Sequence, residues 1–206
     1  MRPRARLFGL VIAGVLGWTG HVKALDISEW KTDGLCKAIA LNGDIARNEA
    51  AGFIKRMVAA ADRCGSRTII VQRMPGGSVN DAIMIGEAIR SQEYVTATLP
   101  NSVCASACGL IYLGGVQRYW NSGARFIIHR PEIRVATPFK TVAEEDQAYY
   151  SLKDRLISYV AAMGGNPDYV DQMYAVGKDN PVASLRVLNR DEMLSLGLAT
   201  QSGTPF

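Results

Sequence analysis

Thr68-Ile69-Ile70-Val71-Gln72-Arg73-Met74-Pro75-Gly76-Gly77-Ser78-Val79 sets the architecture of this chain. Its first four residues are all β-branched, the composition of a buried strand. Pro75-Gly76-Gly77 then turns the backbone, and its glycines can offer N–H groups without a side chain in the way. Asn80 to Arg90 follows as a helix, with Ile83, Ile85, Ala88 and Ile89 apolar. The pattern repeats downstream. Tyr94 to Leu99 reads as a strand, a small-residue helix starts near Ser106 and stops at Gly114-Gly115, and Ala124 to His129 is a strand closed by Pro131. This βαβαβ alternation with short links predicts a parallel sheet with right-handed crossovers and helices on its faces. In such sheets, sites gather at the carboxyl ends of strands. The glycine turn, Ser106 and His129 each fall at such an end.

The flanks fit the same plan. Lys37 to Leu41 is a short apolar run ending at the turn Asn42-Gly43-Asp44. Asn48 is placed to cap a helix running to about Asp62, with Phe53, Ile54, Met57, Val58 and Ala61 on one face and Gly65-Ser66 as its stop. Glu132 to Lys140 reads as a loop. Thr141-x-x-Glu144 is a capping-box pattern that opens a helix to about Met163. Its apolar stripe is Val142, Tyr149, Leu152, Leu156, Tyr159, Val160 and Met163. Asn189-x-x-Glu192 opens a last short helix, stopped by Gly197. Tyr149, Tyr150, Tyr159, Tyr169 and Tyr174 gather around the long helix and read as core or oligomer contacts rather than a cofactor site.

Residues 1–24 read as an export signal. Arg2, Arg4 and Arg6 form a basic start, Leu7 to Trp18 is apolar without a charge, and Val22-Lys23-Ala24 places cleavage before Leu25. The apolar run is short for a membrane span; an uncut N-terminal anchor is the alternative. The rest, 25–206, reads as a single domain in a periplasmic or secreted protein. The signal holds four of the 23 basic residues and none of the 19 acidic ones, so the remainder carries 19 of each. That balance gives no surface for a nucleic-acid partner. The four cysteines, Cys36, Cys64, Cys104 and Cys108, lack metal-site spacing and allow three disulfide pairings, of which Cys36–Cys64 with Cys104–Cys108 is one. No phosphate-binding loop or dinucleotide fingerprint is present, and no cofactor is expected.

The chemistry rests on one histidine, because His21 leaves with the signal. Ser106 sits between small residues in Cys104-Ala105-Ser106-Ala107-Cys108-Gly109, at a predicted strand-to-helix junction. There the Ala107 amide is a free donor, and Gly77 can supply a second. A nucleophile, a base and oxyanion donors are the minimum set for acyl transfer.

Taken in order, Leu41-Asn42-Gly43-Asp44-Ile45, Pro75-Gly76-Gly77-Ser78-Val79, Ala105-Ser106-Ala107 and Ile128-His129-Arg130-Pro131 resemble the Clp protease proteolytic subunit and its exported relatives. The resemblance implies a crotonase-like α/β fold of repeated β-β-α units, with a mainly parallel sheet and a C-terminal helical part. It implies Ser106 as nucleophile, His129 as base, and the Gly77 and Ala107 amides as oxyanion hole. It further implies a peptide or unfolded-protein substrate and a homo-oligomer packed through the long helix. Three positions depart from the family. Met74 precedes Pro75 where a serine is usual, and Arg130 stands where a glutamine is usual. Ser184-Leu185 occupies the place of the triad acid. Asp179 is the nearest acid and Asp171 a poorer candidate, so the third residue stays open. Cys104 and Cys108 read as small buried residues or as a redox-sensitive pair around the nucleophile. A binding or assembly module with an inactive site is the second reading. A crotonase-like acyl-CoA enzyme is a third, which export argues against.

Overall fold

The computed structural model describes residues 24–133, 139–177 and 184–206. Residues 1–23, all but the last of the expected export signal, and Asp179 lie outside the described residues. Chain order is β1 (Asp26–Thr32), β2 (Leu35–Asn42), α1 (Ala50–Cys64), β3 (Thr68–Met74), α2 (Val79–Ser91), β4 (Val95–Ala97), β5 (Val103–Ala105), α3 (Cys108–Leu113), β6 (Arg118–Trp120), β7 (Arg125–Ile128), α4 (Val142–Ala162), α5 (Asp168–Ala175), β8 (Arg186–Leu188), α6 (Arg190–Ser195) and β9 (Gln201–Ser202). Pairs of strands followed by a helix recur as β1-β2-α1, β4-β5-α3 and β6-β7-α4. The expected α/β class with a mainly parallel sheet is what the chain adopts; the antiparallel pairs are β1 with β2 and β7 with β8.

β3 is the centre of the sheet. One edge pairs in parallel with β2. The other pairs with β4 through Thr68–Ile70 and with β5 through Arg73–Met74. The sheet therefore forks at β3 into a β4-β6-β9 branch and a β5-β7-β8 branch. One face carries the main core, with Ile39, Leu41, Phe53, Met57, Ile69, Ile85, Tyr112 and Phe126 buried between strands and helices. The other carries a small cluster of Ala38, Ala40, Ile70 and Ala97. Two disulfides join Cys36 to Cys64 and Cys104 to Cys108.

Local chemistry explains the helix ends. Thr141 accepts from the Glu144 amide, and Asn189 with Glu192 forms a complete capping box. Gly65 ends α1 in the left-handed region at φ 64°. Three expectations need correction. Asn48 does not cap α1: it sits at φ 61°, and Glu49 occupies the cap position without a side-chain bond. The helix expected from near Ser106 begins at Cys108, which leaves the serine in the preceding turn. The stripe on α4 also buries only toward its end. Leu156, Tyr159, Val160 and Met163 are in the core, whereas Val142 is 74% exposed.

Candidate active site

The three predicted site segments follow three strands of the forked branch: Gly76-Gly77 after β3, Ser106 after β5, and His129 after β7. These strands lie side by side in the order β7-β5-β3. Parallel pairing aligns their carboxyl ends, so segments far apart in sequence meet at one edge.

Ser106 adopts φ 55°, inside the left-handed region, at a cost of about 1–2 kcal/mol for a residue with a Cβ. Its amide donates to the Ile127 carbonyl at 2.9 Å, and its carbonyl accepts from Gly109 at 3.0 Å. The turn lifts the hydroxyl off the strand, as nucleophile elbows do. Oγ lies 2.7 Å from His129 Nε2. The other ring nitrogen, Nδ1, lies 2.7 Å from the Arg130 carbonyl oxygen. A carbonyl only accepts, so the hydrogen-bond network assigns the proton to Nδ1, and Nε2 accepts from the serine. That is the tautomer a general base requires.

The glycine wall stands against this elbow. Gly76 is at φ 111° and Gly77 at φ 133°. A Cβ on Gly76 would come within 2.6 Å of Ser106 Cβ and 3.1 Å of the Ala107 amide nitrogen. A Cβ on Gly77 would collide with the Ile45 backbone. Ile45 donates to the Gly76 carbonyl and accepts from Ser78, each at 2.8 Å. The amides of Gly77 and Ala107 have no acceptor among the described residues. Gly77 and Ala107 line the same groove as Ser106, and amides without an acceptor are the donors that a developing oxyanion needs.

Asp81 was not singled out in the sequence. It is 5% exposed and accepts from the Ala50 amide at 2.9 Å, the Asn48 amide at 3.2 Å and the Ser78 hydroxyl at 2.5 Å. It caps α1 from another helix and ties the Ile45 segment to the glycine turn. The Ser78-x-x-Asp81 spacing, a capping pattern, is the signal that could have drawn attention to it.

No carboxylate bonds the imidazole among the described residues. The β7–β8 pairing ends with Ile128 opposite Arg186, one residue short of His129 and of Leu185. Leu185 and Ser184 line the same groove as the serine. Asp171 is ion-paired with Lys153 at 2.6 Å. Arg130, the departure from glutamine, lays its guanidinium 5.4 Å from the Tyr149 ring centre and so anchors the strand exit to α4. The groove is open and measures about 1410 Å³. Leu110, Leu152, Leu156 and Met173 give it an apolar side, and Asp44, whose carboxyl is pushed up by burial, sits at its rim. No group of metal-ligating side chains forms among the described residues.

The Clp protease family matches residues 34–200 of the chain. Among solved structures, a mutant of the 1510-N membrane-bound stomatin-specific protease superposes with a TM-score of 0.52. It is 16% identical, over 81% of this chain and 78% of that one, a likeness that bears on the fold. No curated protein matches the chain in sequence.

Proposed function

The chain belongs to the Clp protease family, and on that premise we propose that it is an exported serine peptidase working through an acyl-enzyme. Ser106 Oγ attacks the scissile carbonyl while His129 Nε2 takes its proton. The Arg130 carbonyl steadies the resulting imidazolium through Nδ1–H. The Gly77 and Ala107 amides receive the oxyanion. His129 then returns the proton to the leaving amine, and a water activated by the same nitrogen releases the acyl group. The substrate is a peptide or loose chain, because the groove is open and partly apolar. The observation that carries this reading is the 2.7 Å contact between Ser106 and a histidine whose tautomer is set by a carbonyl acceptor. Residues 1–24 and two disulfides support an oxidising compartment, periplasmic or extracellular. Exposed Val142 and Tyr150 on α4 support assembly as a homo-oligomer.

A fluorophosphonate probe tests the reading. Labelling at Ser106 that vanishes in Ser106→Ala and His129→Ala is expected. No labelling of folded oxidised protein would favour the second reading, a binding or assembly module. The specific observation behind that second reading is that Ser184 and Leu185 line the groove with His129 where the family resemblance calls for an acid.

A further inference from the structure

The Cys104–Cys108 disulfide has no part in the chemistry above, yet it encloses the nucleophile. Cys104 lies in β5 and Cys108 is the first residue of α3. The bridge closes a ring of five residues with Ser106 at its midpoint, two positions from either sulfur. Both cysteines are fully buried. The ring also contains Ala107, whose amide is one of the two free donors. Of its residues, Ser106 is the one held at positive φ.

We propose that this disulfide is a positioning brace for the catalytic elbow: it holds Ser106 in its left-handed conformation and the Ala107 amide beside the oxyanion site. The inference rests on the peptidase reading. A left-handed serine relaxes toward ordinary backbone angles unless its neighbours prevent it. On one side Gly76 packs against the elbow, and on the other the Ile127 carbonyl holds the Ser106 amide. The start of α3 is held by these neighbours through non-covalent contacts only, Gly76 against Ala107 and the Gly109 amide on the Ser106 carbonyl. That helix is six residues long and has no side-chain cap. The bridge ties it to β5, whose register with β3 and β7 is set by pairing Cys104 with Met74 and with Phe126. The brace therefore transmits the position of the sheet to the two groups that must meet the substrate carbonyl. A dithiol that reduced the bond would pass two electrons and two protons to it. Two thiols would form, the reductant would close to its own disulfide, and the elbow would be released.

The test compares oxidised wild type with Cys104→Ala/Cys108→Ala and with the closer Cys104→Ser/Cys108→Ser. Thermal melting confirms folding. Peptide hydrolysis and the rate of fluorophosphonate labelling are then measured at the folded temperature. A misplaced elbow lowers kcat and the labelling rate by about tenfold to a hundredfold, with KM within about twofold. A dithiol titration of wild type supplies the second measurement. Activity is expected to fall with alkylation of Cys104 and Cys108, and to be indifferent to alkylation of Cys36 and Cys64. Unchanged kcat in a variant that merely melts lower, or full activity after Cys104 and Cys108 are alkylated, would overturn the brace while leaving the peptidase reading intact. Oxidised wild type that neither hydrolyses nor labels would instead remove the reading on which the brace rests.

Discussion

Burial alone would push the carboxyl of Asp81 upward, but the Ser78 hydroxyl and the amides of Ala50, Asn48 and Glu49 outweigh it and hold its pKa below the ordinary 3.8. A group whose pKa is lower folded than unfolded stabilises the fold above its unfolded value. That stabilisation is lost as pH falls through the lower folded value. Asp81→Asn is therefore expected to cost about 1–3 kcal/mol at neutral pH, with amides left facing an amide nitrogen. The gap to wild type should narrow below pH 3.8; urea midpoints at pH 7, 4 and 3 check this. Gly76→Ala acts on the chemistry instead, since its Cβ meets Ser106 Cβ at 2.6 Å. It should lower kcat by about a hundredfold, as read by peptide hydrolysis on protein whose melting shows it folded. The glycine pair and His129 were legible in the sequence because each closes a β-rich run, and His129 is also a rare residue type; Ser106 was found from its small neighbours, since the three-residue β5 before it was not read as a strand. The Arg130 carbonyl was not legible, because a main-chain acceptor leaves no trace in residue type.

Arg118 shows what binds the elements to one another. It is 3% exposed and donates to carbonyls at three helix ends: Gly115 at 2.9 Å after α3, Met163 at 3.2 Å after α4, and Gly197 at 2.8 Å after α6. Leu198 accepts from its Nε at 2.9 Å. Carbonyls at helix C-termini carry the negative end of the dipole, so together they serve the guanidinium in place of a carboxylate partner. Arg118→Leu leaves several of these carbonyls buried without donors, and a loss of about 3–5 kcal/mol is expected by denaturant titration. Among the elements, legibility followed locality. The capping boxes at Thr141 and Asn189 and the β-branched run of β3 are written in neighbouring residues. β6, β8 and β9 have two or three residues each, too short for any alternation, and they exist because β4, β6 and β7 offer free edges. Asn48 misled because the amides it might have capped are taken by Asp81, which is remote in sequence.

For the molecule as a whole, the Cys36–Cys64 bridge closes β2 onto the end of α1 across 28 positions, well away from the groove. Loop-closure entropy assigns it about 3–4 kcal/mol. Cys36→Ala/Cys64→Ala should therefore lower the melting temperature while leaving kcat unchanged, the opposite signature to the elbow bridge. The sequence alternation foretold a parallel sheet but not its fork at β3, because the switch of partner within one strand is a matter of register rather than composition. The Arg118 tie also carries a lesson about timing. Every group assigned to the reaction has been synthesised by residue 130, yet the carbonyls of Gly197 and Leu198 come nearly seventy positions later. A nascent chain that reaches only the first of those points holds every group of the proposed reaction but lacks the acceptors that close its core, so its site can form only after the last segment has joined.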